Sequence, residues 1–102
     1  MVKHFILWTL KSDISDGEKL KIKQHIKMAL EGLSGKIPGL SEIKVNIDPL
    51  ESSNAELMLA STIENEQSLK EYSTHPLHVA VANKYVRPFT ATRTCLDFNV
   101  YP

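Results

Sequence analysis

One cysteine, Cys95, is all the sequence holds, so no disulfide can close within the chain. A secreted disulfide scaffold is excluded, and with no second thiol a thiolate zinc site is excluded as well. An excess of either charge is also missing, because 12 Lys and Arg balance 12 Asp and Glu. A protein built to neutralise phosphates or coat an anionic membrane needs a basic surplus, so neither nucleic acid nor membrane is an expected partner. Long apolar runs do not occur. The run over residues 5–8 is too short for the apolar core of a signal peptide and far too short for a bilayer, and the cytosol is the expected compartment. No Gly-rich phosphate loop, internal repeat or low-complexity linker breaks the 102 residues, which suit a single domain over residues 1–102.

What is present is regular apolar spacing. Residues 2–10 carry apolar side chains on both parities, with His4, Ile6 and Trp8 on one face and Phe5 and Leu7 on the other. That reads as a strand buried on both sides. Ser15-Asp16-Gly17-Glu18 matches a capping box, in which hydroxyl and carboxylate satisfy opposite free amides of a helix start. Ile22, Ile26, Ala29 and Leu33 then form one apolar stripe, and Lys19, Lys21, Lys23, Lys27 and Glu31 read as its solvated face.

Gly32 and Gly35 end this helix, and Ile37-Pro38-Gly39 turns the chain. Residues 40–47 alternate cleanly, Ile43, Val45 and Ile47 against Glu42, Lys44 and Asn46, and Asp48-Pro49 closes the strand. Residues 56–63 give a third strand, Leu57 and Leu59 against Met58 and Ala60. A second helix opens at Asn65 or Glu66 and carries Leu69 and Tyr72. Pro76 interrupts it, and a further helical piece runs to about Val86. Residues 92–101 make the last strand, Leu96, Phe98 and Val100 alternating against Cys95, Asp97 and Asn99. The order βαββαβ, with right-handed crossovers, puts both helices on one face of one antiparallel sheet, an α+β ferredoxin-like fold.

Two helices cover only one sheet face, yet the strands offer bulky apolar residues on both. If His4, Ile6 and Trp8 look at the helices, Phe5 and Leu7 look outward. They are joined by one parity of Leu57 and Leu59 and by Leu96, Phe98 and Val100. A patch of that size exceeds what a soluble monomer leaves wet, so a homodimer packed sheet to sheet about a two-fold axis is expected.

Tyr72-Ser73-Thr74-His75-Pro76-Leu77-His78 is the specific motif of the chain. With Lys3-His4-Phe5-Ile6, Ile37-Pro38-Gly39-Leu40 and Leu96-Asp97-Phe98 in order around it, the sequence resembles the stress-responsive A/B barrel (Dabb) family over essentially its whole length. The resemblance implies a dimeric α/β barrel of two facing ferredoxin-like sheets. The family is mixed: some members resemble boiling-stable stress proteins, and many have no assigned activity. One plant member closes a linear polyketide by aldol chemistry, and its catalytic positions carry over by motif to His78, Tyr72 and His4. Some members also hold a hard cation on backbone carbonyls, which here would be those of Ser34, Ile37 and Leu40.

Chemically, a neutral imidazole can take a proton from a carbon acid, and a phenol can hydrogen-bond the developing enolate. In that reading His78 is the base, Tyr72 orients the substrate carbonyl, His4 assists and Asp97 orients His4. The alternative is a packing network, in which the histidines bond each other or backbone carbonyls and His75 caps the next helical piece. The candidate ligand pocket comprises His4, Ile6, Trp8, Tyr72, His75 and His78, with the Trp8 indole expected to fill much of its volume. Cys95 reads as a buried strand residue. No metal site or cofactor is expected. The leading expectation is a small dimeric protein of stress-related or ligand-binding type, taking a small hydrophobic or carbonyl ligand. The alternative is a cofactor-free cyclase or isomerase on an enolisable carbonyl compound.

Overall fold

Alternation along the first strand sets the two faces of the molecule. In the computed structural model, which describes residues 1–101, β1 (Val2–Leu10) is buried at every even residue and half-buried at every odd one. It is followed by α1 (Asp16–Glu31), β2 (Leu40–Asn46), β3 (Leu57–Ile63), α2 (Glu66–Thr74), α3 (Pro76–Val81) and β4 (Thr90–Asn99). The strands form one antiparallel sheet in the order β2-β3-β1-β4. This is the expected ferredoxin-like arrangement.

Local chemistry places each helix. Ser15 caps α1 through its hydroxyl, which accepts from the Glu18 N–H at 3.3 Å. Asn65 caps α2, its side-chain oxygen accepting from the Ser68 N–H at 2.8 Å. The His75 ring caps α3 in the same way, Nδ1 accepting from the Leu77 N–H at 3.1 Å, and Pro76 occupies the first turn where no N–H is needed. Beyond α3 the chain widens into a π turn over Ala82–Val86, closed by Arg87 N–H to the Ala82 carbonyl at 2.9 Å.

Pairing register fixes which residues share a face. Val2, His4, Ile6 and Trp8 pair with Ile63, Ser61, Leu59 and Leu57 of β3, and these line the helix side. There the apolar ones meet Ile26 and Leu30 of α1, Tyr72 of α2 and Val86 of the π turn in one buried cluster. Leu57 and Leu59 therefore belong to the core and not to the outer face. Met58 and Ala60 take their place outside, opposite Leu7 and Phe5. Leu30, absent from the stripe read off the sequence, is buried, whereas Ala29 is only half-buried.

The outer face is divided. Its β2 side is polar, with Glu42, Lys44 and Asn46. Its β1–β4 side is apolar: Phe5 stacks on Phe98 with ring centroids 5.7 Å apart, Phe5 pairs in register with Leu96, and Leu7 adjoins Met58. Leu96 is 59% exposed and Phe98 43%. Val100 lies just past β4, its N–H bonded to the Met1 carbonyl, and is also exposed. No helix among the described residues is long and apolar enough to cross a membrane.

Candidate functional site

The β1–β4 pairing juxtaposes His4 with Asp97 and Ile6 with Cys95 on the helix side of the sheet. His4 is buried, and its Nδ1 donates to the Asp97 carboxylate. Cys95, expected inside the strand, is exposed, because no helix covers β4. Its Sγ lies 3.5 Å from Asp97 Oδ2 and 4.0 Å from His4 Nδ1. Burial, followed by the Asp97 charge, pushes the Cys95 thiol up from its ordinary pKa, which makes it a poor nucleophile. His4 Nδ1, Cys95 Sγ and an Asp97 oxygen all lie within 4.8 Å of one another. These are the donors that could hold a divalent ion, so the single cysteine excludes a multi-thiolate site but not a mixed one.

A second contact series runs from His4 into the helices. The Tyr72 ring meets His4 edge-on at 5.9 Å between centroids and meets His78 at 4.4 Å. Tyr72 is buried, and its hydroxyl has no hydrogen-bond partner among the described residues. Burial pushes its phenol well above the ordinary range, so it stays neutral. His78 Nδ1 donates to the Ser73 carbonyl at 3.3 Å, a tautomer that leaves the lone pair on Nε2. Burial lowers the His78 pKa below its ordinary 6.5. The Ser73 carbonyl opposes that shift, and the positive charges of Arg87 and Arg93 reinforce it. At neutral pH His78 is a free base.

Between sheet and helices lies a cavity of about 310 Å³. Ile6, Trp8 and Leu59 reach it from the sheet, Leu30 from α1, and Ala82 and Val86 from the π turn. Its polar lining is His78, Arg87, Thr90 and Arg93. Trp8 borders the space without closing it. Of the residues assigned to the pocket from the sequence, Ile6, Trp8 and His78 line it. His4 and Tyr72 stand behind His78, and His75 is engaged as a helix cap. The two arginines were missed, since each looks like an ordinary surface residue until the π turn and the β4 register bring them together. A second depression, about 340 Å³, opens on the outer face against Leu7 and Met58 and holds no histidine. Near the proposed cation position the Ile37 carbonyl accepts from the Leu40 N–H at 3.2 Å.

The profile of the Stress Responsive A/B Barrel Domain family matches residues 2–100. A dimeric protein of unknown function with a ferredoxin-like fold from Bacteroides fragilis is 32% identical. It superposes with a TM-score of 0.89 over 97% of this chain and 95% of its own. A dimeric ferredoxin-like protein of unknown function from Thermobifida fusca shares 21% identity, with a TM-score of 0.80 over 97% of this chain and 90% of that one. A hydroxynitrile lyase from Passiflora edulis shares the fold at 16% identity and a TM-score of 0.70, over 99% and 96% of the two chains. No sequence among the curated proteins matches.

Proposed function

The chain belongs to the stress responsive A/B barrel family, and from that premise we propose that it works as a homodimer whose protomers each hold a small-molecule cavity. One observation carries the dimer: the apolar patch of half-buried Phe5, Leu7 and Met58 and exposed Leu96 and Phe98 on the sheet face that no helix covers. Relatives described as dimeric support it. A second copy turned about a two-fold axis would bury both patches against each other and leave the polar β2 side at the rim. The lone exposed thiol suits a reducing compartment, so the cytosol is its proposed place.

Binding is the reading the cavity supports best. Proton transfer by His78, Tyr72 and His4 would want all three beside the ligand, and of these His78 alone lines the cavity. His78 supplies a neutral acceptor there, suited to a hydrogen-bond donor on a mainly apolar ligand.

The dimer is tested by Leu96→Glu. Leu96 is already exposed on the protomer, so the substitution leaves the protomer's own packing intact. In the dimer it buries two like charges beside the axis. Light scattering after size exclusion is expected to show a loss of dimer at micromolar concentration. An undiminished dimer would place the interface elsewhere.

A further inference from the structure

The cavity has charges that its apolar walls do not explain. Arg87 follows the π turn and Arg93 stands on β4 opposite Trp8, yet both reach the same space. No acidic side chain lines it. The Arg87 guanidinium donates to the Asn83 side-chain oxygen, a neutral amide. Among the described residues neither arginine forms a salt bridge. Ile6, Trp8, Leu30, Leu59 and Val86 are buried while Arg87 and Arg93 are exposed, so the apolar part of the lining is inside and the guanidinium groups are toward solvent.

We infer that this cavity takes an amphipathic anion, an apolar body ending in a carboxylate, with Arg87 and Arg93 holding the head and Ile6, Trp8 and Leu59 packing the body. The inference rests on the cavity reading above and adds the ligand's charge to it. Guanidinium matches a carboxylate in a planar, two-bond geometry, and such charge-assisted bonds are about twice as strong as neutral ones. An isosteric neutral head would lose that term and keep the apolar contacts. His78, beside the two arginines, accepts a hydrogen bond from a ligand hydroxyl or amide further along the body.

Octanoate and octanamide test this, because they share one body and differ in head charge. Trp8 is the single tryptophan and borders the cavity, so its fluorescence reports entry of either probe. The expected result is that octanoate binds about tenfold more tightly than octanamide, with an affinity that falls as salt rises. Arg93→Met and Arg87→Met each reduce that preference, while Arg93→Lys keeps part of it. Should one variant fail to fold, the comparison of the two probes on the wild-type protein still decides. Equal affinity for both, with a Trp8 response, overturns the anion inference and leaves the cavity reading standing. No Trp8 response to either probe at millimolar concentration overturns both.

Discussion

At the scale of single residues, His78 links packing to solution behaviour. Burial and neighbouring positive charge hold its folded-state pKa below the ordinary 6.5. As pH falls, the unfolded chain therefore takes up this proton before the folded chain does. Its contribution to stability is complete above about pH 6.5 and is lost as pH drops through the folded-state value. Urea unfolding at about pH 7.5 and about pH 5.5 should show the wild type losing stability on acidification, and His78→Gln should lose less. Equal losses in the two proteins would mean that His78 is not held neutral by the fold. The cluster itself was largely legible in the sequence. His4, Tyr72 and His78 do meet, and Asp97 does reach His4, because motif spacing on one helical stretch and strand parity both survive folding. The cavity's composition was not legible. Arg87 follows a π turn and Arg93 stands on an edge strand, and neither periodicity nor motif relates two such positions.

At the scale of elements, α1 does more than shield the sheet. Lys27 and Glu31, read from the sequence as solvated, clamp the edge strand β2. Lys27 Nζ donates to the Val45 carbonyl at 2.7 Å, and Glu31 Oε2 accepts from the Val45 N–H at 2.9 Å and from Lys27 Nζ at 2.7 Å. Burial alone would raise the Glu31 pKa, but these bonds to Lys27 and Val45 hold it below the ordinary range. The clamp occupies backbone groups that an edge strand would otherwise offer to another chain. Glu31→Ala should cost about 1–2 kcal/mol in urea unfolding at neutral pH, and a change near zero would mean that solvent replaces the clamp. The turn before β2 is equally constrained: Gly39 has φ of +83°, and a Cβ there would lie 2.6 Å from Ser68 Oγ. Every element announced by spacing is present; the capped helix starts fall where the sequence puts them, and strand ends are displaced by a residue or two. Parity alone could not say which face of β3 is inside, since Leu57 and Met58 are equally apolar. The pairing of Leu57 with Trp8 decides it.

At the scale of the whole molecule, the protomer is unfinished on one side. Helices bury the even residues of β1, while Phe5, Leu7, Leu96 and Phe98 form an apolar sheet face with nothing over it in a single copy. The sequence carried this much because apolar residues on both parities of a strand demand two covers, and two helices supply one. A second copy of the chain is the other cover. Sedimentation equilibrium of the wild-type protein, run over a hundredfold range of concentration, measures this directly. A mass of twice the 11.5 kDa protomer is expected at the upper concentrations, with any dissociation appearing only on dilution. A mass of one protomer, unchanged across the range, would mean that the apolar sheet face stays uncovered in solution.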